Sequence, residues 1–370
     1  MKKNNGILLS FVVCCYNVAD YLENMVGGLL NQINSQTLKD SNKIEIILVE
    51  DGSTDNNQTK NICKKYERNF ENIKLVQHKN NKGLSESRND GVLASKGKYI
   101  SFPDPDDELA KGIVEKYINI INNNNYDVIC SGLIEKHWNN KGKLILTKEV
   151  LQREKTAEGK ENIAAETIDM ERNILFGYVW NKLYKRNIII KKNIKFNNKL
   201  KFVEDAIFNI EYFKHAKTMY CLNATSVIYN RRLHSGNSLT SKYEDDYFPM
   251  HYLRIEEFWK YWKGCGVLNQ KAKTVLSNLY FRYALSAIWR NQDKKSNMSN
   301  AAQAKWIKEF YELDLTKKLI KYLDNSSLTN KITQKSFQKR NINSLMRQAK
   351  IIDFVTTHFN NALIRLRQNR

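Results

Sequence analysis

Apolar runs alternate with amphipathic segments over the first third of the chain. Residues 7–15 and 44–49 are nearly continuous apolar runs rich in branched side chains, which is typical of strands buried on both faces. Shorter strands are predicted at residues 73–77, 99–102 and 127–131, and helices at residues 21–30, 56–69, 85–95 and 109–121. Strands that alternate with such helices imply right-handed crossovers. The pattern therefore predicts an α/β fold with a mostly parallel sheet.

The predicted strand at residues 99–102 ends in an acidic turn. Four carboxylates fall in five positions there, at Asp104, Asp106, Asp107 and Glu108. Carboxylates this close repel one another unless water or a cation neutralises them, so the turn is either a solvated loop or a metal site. Glu108 falls where the next helix is predicted to begin, and we interpret it as a partner of that helix dipole.

Polar residues follow three of the predicted strands at their carboxyl ends, namely Tyr16 with Asn17, Asp51 with Gly52 and Ser53, and the acidic turn at 104–107. In open parallel sheets, ligands bind beyond the carboxyl ends of the strands. The glycine-rich fingerprints of dinucleotide-binding and P-loop proteins are absent from the sequence. A nucleotide would therefore be held by carboxylates and a metal.

The middle of the chain is less regular. Residues 139–159 are polar and predict a hairpin or loop, and residues 161–176 predict a helix. The acidic pair Glu204-Asp205 opens another predicted helix, where an N-terminal cap would also account for it. A strand at residues 226–229 leads into a polar loop at 230–238, which holds Arg231, Arg232 and His234.

From about Tyr247 the pattern predicts helices only, at residues 252–262, 271–289, 301–311, 315–323 and 351–366. This last third holds 23 lysine and arginine residues against 8 acidic residues, a net +15 of the +21 in the whole chain. Such asymmetry indicates an anionic partner, although drift toward a lysine-rich composition would also produce it. The amphipathic segment at 351–366 fits core packing, a partner helix or a membrane interface.

Export and a structural zinc site are not expected. There is no window of 18 apolar residues and no apolar signal segment near the start, and the six cysteines show no CxxC spacing. We expect reduced cysteines and a cytoplasmic location.

The ordered motifs over residues 7–241 resemble the GT-A core of family 2 glycosyltransferases. The motifs are Tyr16-Asn17, Glu50-Asp51-Gly52-Ser53, Lys82-Gly83-Leu84-Ser85, Arg88-Asn89, Asp104-Pro105-Asp106-Asp107, Trp180-Asn181-Lys182, Glu204-Asp205 and Arg231-Arg232-Leu233-His234. The first strand departs from the family pattern, because Cys14 stands where a proline is usual.

The resemblance implies inverting transfer of a hexose or N-acetylhexosamine from a nucleotide diphosphate sugar, expected to be a UDP-sugar. Asp106 would hold Mn²⁺ or Mg²⁺, with Asp104, Asp107 and His234 in support. The donor would contact the side chains of Tyr16, Asp51, Arg88, Asp104, Arg232 and His234. Asp205 would be the general base. The acceptor side would include Trp180, Lys182 and Glu204.

The resemblance also implies a domain division and a set of partners. Residues 1–245 would form the catalytic domain, with a donor half at about 1–135 and an acceptor half at about 136–245, and residues 246–370 a basic helical domain. The acceptor would be a cell-envelope polysaccharide, a teichoic acid or a lipid-linked glycan. The helical domain would serve oligomerisation, acceptor binding or peripheral contact with the inner membrane surface. Nucleic acid is not an expected partner.

Two other classes of function compete at this point. A nucleic-acid-binding protein would explain the net charge and the scattered aromatic residues, although acidic strand ends would repel phosphate. A non-catalytic glycan-binding relative would keep the fold without the chemistry. The presence of a candidate at every catalytic position argues against the second class.

Overall fold

The computed structural model describes residues 6–35, 38, 40–139, 141–232, 247–292, 296–324 and 331–358, with side chains up to Ile352. The chain divides into two compact units. The α/β unit comprises Met1–Trp138 and Leu146–Arg232, and the helical unit comprises Asn139–Ile145 and Leu233–Arg370. The predicted domain boundary between residues 245 and 246 lies outside the described residues.

Ten strands form the sheet. They are β1 (Leu9–Cys15), β2 (Ile44–Glu50), β3 (Ile73–Gln77), β4 (Tyr99–Ser101), β5 (Glu108–Leu109), β6 (Val128–Trp138), β7 (Leu144–Val150), β8 (Lys155–Glu158), β9 (Lys182–Lys185) and β10 (Thr218–Arg232). Their order is β3-β2-β1-β4-β9-β6-β10-β5, with β7 on β6 and β8 on β10.

The first four strands of this order, β3, β2, β1 and β4, are parallel to one another, with Leu9 opposite both Ile44 and Tyr99. β9 is antiparallel to β4 and to β6, whereas β10 runs parallel to β6. The buried faces of β1 and β2 explain their continuous apolar sequences. The predicted α/β fold is confirmed.

Among its described residues, the α/β unit contains seven α-helices. They are α1 (Ala19–Ile33), α2 (Gln58–Asn69), α3 (Leu84–Ala94), α4 (Ile113–Asn123), α5 (Lys160–Arg172), α6 (Arg186–Lys192) and α7 (Glu204–Phe213). α3 lies close against β1, because a Cβ atom at Gly91 would stand 2.2 Å from a methyl carbon of Val12. This close packing fixes Arg88, one turn earlier on α3, above the sheet.

Two local predictions are wrong. Glu108 does not begin a helix: it lies in β5 opposite Ile228, and α4 begins only at Ile113. Residues 230–232 are not in a loop as predicted, because β10 continues to Arg232 and pairs with β6 up to Trp138, and residues 233–238 lie outside the described residues. The strand pairing holds Arg231 and Arg232 on a rigid element.

The helical unit contains α8 (Tyr247–Gly264), α9 (Gln270–Arg290), α10 (Asn300–Glu312), α11 (Asp314–Leu319), α12 (Lys331–Gln338) and α13 (Ile342–His358). Its core includes Phe258, Trp262, Leu276, Tyr280, Phe310 and Phe337. The predicted C-terminal helices are confirmed, and α12 was not predicted. The segment predicted at 351–366 is the end of α13 as far as His358, and the rest lies outside the described residues. Among the described helices, none combines the length and apolarity needed to cross a membrane.

Candidate active site

The turns after β1 and β2 are joined by Asn17. This residue adopts a left-handed backbone with φ of 53°. Its backbone N–H donates to Ser53 Oγ at 3.2 Å, and its side-chain Oδ1 accepts from the Thr54 backbone N–H at 2.8 Å. The ring of Tyr16 beside it is 41% exposed. The turn therefore leaves an aromatic face open to a ligand at the sheet edge.

Asp51 lies buried at the end of β2. It accepts hydrogen bonds from the backbone N–H groups of Lys82 at 2.8 Å and Gly83 at 2.9 Å. It also contacts His78 Nδ1 at 2.6 Å, while His78 Nε2 lies 2.9 Å from Asp90. Sequence reasoning missed His78, whose only signal is its place directly after β3. The histidine and the two amides hold the Asp51 carboxylate in one orientation.

The acidic loop at residues 104–107 combines exposed and buried carboxylates. Asp106 is exposed, whereas Asp107 is buried and its Oδ1 accepts from the Asn230 backbone N–H at 2.8 Å. Asp107 Oδ2 is buried with no hydrogen-bond partner in the described structure. Burial first, and then the charges of Asp106 and Asp104, raise the pKa of Asp107 well above its usual range. The loop concentrates negative charge that is only partly neutralised.

Arg232 lies beside this loop at the end of β10. Its Nη1 donates to the backbone carbonyl of Asp106 at 2.9 Å, and its guanidinium lies 4.6 Å from the ring centroid of Tyr21. A cavity of about 360 Å³ opens here, lined in part by Tyr21, Asp106, Asp107 and Arg232. Such a volume falls at the small end of ligand sites. His234 lies outside the described residues.

Arg88 connects the acidic loop to the acidic pair of α7. Its Nη1 donates to Asp205 Oδ1 at 2.5 Å, and its Nη2 donates to Asp104 Oδ1 at 3.3 Å. Glu204 Oε1 is 3.9 Å from Nη1. The guanidinium also lies 5.2 Å from the ring centroid of Phe196. One buried cation therefore brings together carboxylates that are about a hundred residues apart in sequence.

Two of the carboxyl groups around Arg88, those of Asp104 and Glu204, have a pKa above the usual range. Burial raises the pKa of Asp104 to about 7, against the opposing charge of Arg88 and with added repulsion from Asp106 and Asp205. Burial and the charge of Asp205 raise the pKa of Glu204 to about 7. Glu204 Oε2 is buried without a hydrogen-bond partner in the described structure. Near neutral pH, Asp104 and Glu204 are therefore each only partly ionised.

The predicted acceptor residues differ in exposure. Trp180 is buried and stacks on Tyr178, with ring centroids 4.4 Å apart, and Tyr229 packs beside it. Lys182 is wholly buried. Its ammonium donates to the carbonyls of Leu175, Phe176 and Tyr178 and to Asn181 Oδ1. The acceptor contact predicted for Lys182 is corrected to a structural role, because all its hydrogen bonds go to the protein interior.

The side chains of the acidic loop are too few to hold a divalent cation by themselves, so a bound ligand would have to supply further oxygen atoms. Among the described residues, no three or more His, Cys, Asp or Glu side chains are arranged to hold a metal by themselves. The loop nevertheless offers an exposed carboxylate at Asp106 and the unpaired buried oxygen of Asp107. Mg²⁺ commonly binds one or two carboxylates together with substrate phosphates. Asp106 and Asp107 would therefore suit a divalent cation bound together with a phosphate-bearing ligand.

Comparison with known proteins gives a consistent family. Residues 10–191 match the sequence model of glycosyl transferase family 2. The uncharacterized glycosyltransferase EpsJ of Bacillus subtilis is 26% identical over 320 residues, which are 85% of this chain and 86% of EpsJ. The poly(ribitol-phosphate) beta-N-acetylglucosaminyltransferase TarP of Staphylococcus aureus is 26% identical over 368 residues, which are 98% of this chain and 95% of TarP.

The fold is also found among solved structures. The crystal structure of S. aureus TarS 1-349 in complex with UDP-GlcNAc matches with a TM-score of 0.61 and 18% sequence identity. The match covers 95% of this chain and 92% of that chain. It extends beyond the α/β unit and therefore includes helices after the sheet.

Proposed function

The chain is a glycosyltransferase that carries a family 2 domain at residues 10–191, and from that premise we propose that it transfers a sugar with inversion from a UDP-sugar to a polyol-phosphate polymer. The observation that carries the proposal is Arg88, which contacts both Asp104 of the acidic loop and Asp205 of α7. A donor side and an acceptor side meet at this one residue.

Asp205 is the proposed general base. Its carboxylate stands in the first turn of α7, where the helix dipole favours negative charge, and its side chain is partly exposed. An acceptor hydroxyl would attack the anomeric carbon from the face opposite the diphosphate. Its proton would pass to Asp205 as the bond from the anomeric carbon to the diphosphate oxygen breaks. Arg88 donates a hydrogen bond to the base and so orients it.

Asp106 and Asp107 are the proposed metal-binding residues, with Asp104 in support. A bound Mn²⁺ or Mg²⁺ would neutralise charge on the departing diphosphate without proton transfer. Arg232 lies next to Asp106 and supplies a fixed positive charge at the same place. Tyr16 and Asp51 stand at the neighbouring strand ends, and we assign the nucleoside to them.

The relatives support the choice of donor and acceptor. TarP is described as acting on poly(ribitol phosphate), and a poly(ribitol-phosphate) beta-glucosyltransferase of Bacillus spizizenii is 27% identical over 210 residues. The net charge of +15 beyond Tyr247 suits such an anionic acceptor. We propose N-acetylglucosamine or glucose as the sugar. Oligomerisation and peripheral membrane contact stay predictions.

The test measures transfer of labelled sugar from UDP-GlcNAc or UDP-glucose to poly(ribitol phosphate) with and without MnCl₂. We expect EDTA to abolish transfer and Asp106→Asn to reduce it by about 100-fold or more, because charge on the departing diphosphate is then poorly neutralised. Asp20→Asn, an exposed aspartate of α1 outside the acidic loop, is the matched control and keeps the metal response. Full transfer by Asp106→Asn at every metal concentration would refute the metal assignment.

A further inference from the structure

The helical unit contains a cavity of about 410 Å³ where the end of α8, the start of α9 and the α11 region come together. Four lysines and two large aromatic side chains contribute to its wall: Trp259, Lys263, Lys273, Lys318, Lys321 and Tyr322. No acidic side chain of the described structure lines it. The cavity is therefore a concentrated positive site.

Three of these lysines lack a neutralising partner. Lys318 pairs with Asp314 at 2.5 Å, but Lys263, Lys273 and Lys321 form no ion pair with any carboxylate in the described part of the chain. Lys263 and Lys321 are exposed and Lys273 is half-buried. Like charges held around one concave surface repel each other, and an anion relieves that repulsion.

The aromatic rings of Trp259 and Tyr322 add apolar surface to the positively charged cavity. Lys273 and Lys321 lie 5.4 Å and 5.3 Å from the ring centroid of Tyr322, and Lys318 lies 5.6 Å from that of Trp259. These cation–π contacts keep the ammonium groups beside the rings. A ligand here meets alternating positive charge and half-buried aromatic surface within a few ångströms.

We propose that this lysine pocket is an accessory site for the acceptor, which binds phosphodiester-linked polyol units of the polymer away from the reacting hydroxyl. The inference rests on the proposed function. Phosphates of the polymer contact Lys263, Lys273 and Lys321, and the polyol carbons between the phosphates pack beside Tyr322 and Trp259 without stacking on the ring faces. The pocket gives the helical unit a part in holding the polymer.

The cavity shape favours this ligand over other anions. A membrane surface is broad and is usually met by an amphipathic helix or a basic cluster with apolar groups that insert, whereas these lysines surround a recess. Single-stranded nucleic acid prefers aromatic rings presented to stack on bases. Trp259 and Tyr322 are both only half-exposed, and a lysine ammonium group already lies over each ring. Their ring faces are therefore not open for a base to stack on.

The test uses the full chain and a fluorescein-labelled oligomer of ribitol phosphate, measured by fluorescence anisotropy at several NaCl concentrations. We expect Lys263→Gln/Lys273→Gln/Lys321→Gln to weaken binding about tenfold and to flatten its salt dependence. Lys305→Gln/Lys308→Gln/Lys339→Gln removes three exposed lysines outside the pocket and is the charge-matched control. It should bind like the wild type, and thermal unfolding establishes that both variants are folded.

Three results would overturn the proposal. The first is equal weakening by the two triple variants, which would indicate only the general charge of the chain. The second is a pocket-dependent preference for phosphatidylglycerol vesicles over the soluble oligomer. The third is such a preference for a single-stranded DNA oligonucleotide. Wild-type sugar transfer is measured in parallel: its absence contradicts the proposed function, whereas intact transfer with pocket-independent oligomer binding contradicts only the accessory site.

Discussion

Two buried cations of the α/β unit, Arg88 and Lys182, come from motifs that the sequence assigned to the same site. The side chain of Arg88 is 3% exposed and that of Lys182 is fully buried. Arg88 contacts the carboxylates of Asp104, Glu204 and Asp205, and each of these side chains is partly exposed to solvent. Lys182 contacts backbone carbonyls and one side-chain amide oxygen. Burial alone therefore does not separate a reactive site from a structural one.

The difference lies in what neutralises each charge. Burial lowers the pKa of Lys182 to about 8, because uncharged carbonyls do not repay the full loss of hydration. Burial also acts to lower the pKa of Arg88, but the charges of Asp205 and Asp104 outweigh it, and the net change is upward. The carboxylates around Arg88 can take up and release protons, whereas the carbonyl oxygens around Lys182 cannot. The groups that surround the cation, and not the burial of the cation, therefore distinguish the candidate active site at Arg88 from the structural position of Lys182.

The largest effect is expected for Arg88→Met. Asp104, Glu204 and Asp205 would lose their shared cation while staying largely buried, so we expect a loss of about 3–5 kcal/mol in the free energy of unfolding. Sugar transfer should fall by about 1000-fold, because the base is no longer oriented. Urea denaturation and initial transfer rates measure the two losses.

Arg88→Lys tests whether charge alone is enough. Lysine keeps the positive charge but cannot reach Asp104 and Asp205 with two separate N–H groups. We therefore expect it to recover much of the lost stability and little of the lost transfer. Equal recovery of both would remove the special role of the bridging geometry.

Asp205→Asn separates chemistry from structure within the same cluster. An asparagine oxygen still accepts the hydrogen bond from Arg88, so we expect the free energy of unfolding to fall by only about 1–2 kcal/mol. Transfer should fall by about 1000-fold, because an amide does not take the acceptor proton. Titration calorimetry with UDP checks that the donor site is retained. Transfer at the wild-type rate would exclude Asp205 as the base.

Lys182→Met should show the opposite pattern to Asp205→Asn, with a loss of stability and little loss of transfer. The carbonyls of Leu175, Phe176 and Tyr178 would lose their donor, and we expect a loss of about 2 kcal/mol in the free energy of unfolding near pH 7. Transfer per folded molecule should stay within about twofold, because the side chain reaches no surface. A selective loss of acceptor affinity in a stable variant would restore the acceptor role first predicted for it.

The pH dependence of the same variant has a definite sign. The folded pKa of Lys182 is about 8, below the ordinary 10.5 of an unfolded lysine. Between these values the unfolded chain holds more protons, so the stability contributed by Lys182 rises with pH over that window and is constant below it. The stability difference between wild type and Lys182→Met should therefore change only above about pH 8.

The parallel half of the sheet was predictable because β1, β2 and β4 are buried along nearly their whole length. Residues 73–77 were predicted as a strand and form β3, and the carboxyl ends of β1 and β2 were correctly expected at one edge. Burial is less uniform in the second half. β6 and β10 carry buried Ser131 and Ser226, which hydrogen-bond to each other and interrupt the apolar signal. Their length was therefore underestimated.

The site was predictable as a set of residue types but not as a network. Strand-end carboxylates are visible in the sequence, whereas the contacts of Arg88 join positions 16 and 117 residues away. The misplaced roles have the same cause. Glu108 pairs with Ile228 of β10, and Lys182 is surrounded by backbone carbonyls, which no residue type reveals. In each case, contacts with residues outside the motif determined the position and the role of the side chain.

The smallest effect is expected for Glu204→Gln. Burial and the charge of Asp205 raise the pKa of Glu204 to about 7, above its ordinary value of 4.5. The folded chain therefore holds the extra proton, and this group's contribution to stability falls as pH rises from 4.5 to about 7. Ionised Glu204 places a second negative charge beside Asp205, which favours transfer of the acceptor proton, so wild-type kcat should rise about threefold as pH passes 7.

Profiles of kcat from pH 6 to 8.5 test this role of Glu204. The glutamine variant should lose the rise through pH 7, because its side chain stays neutral. Glu211→Gln, on the same helix with a side chain that is 45% exposed, should keep it. A rise that persists unchanged in Glu204→Gln would assign that titration to another group, and Arg88 would then remain the only residue of this cluster through which the acidic loop is coupled to Asp205.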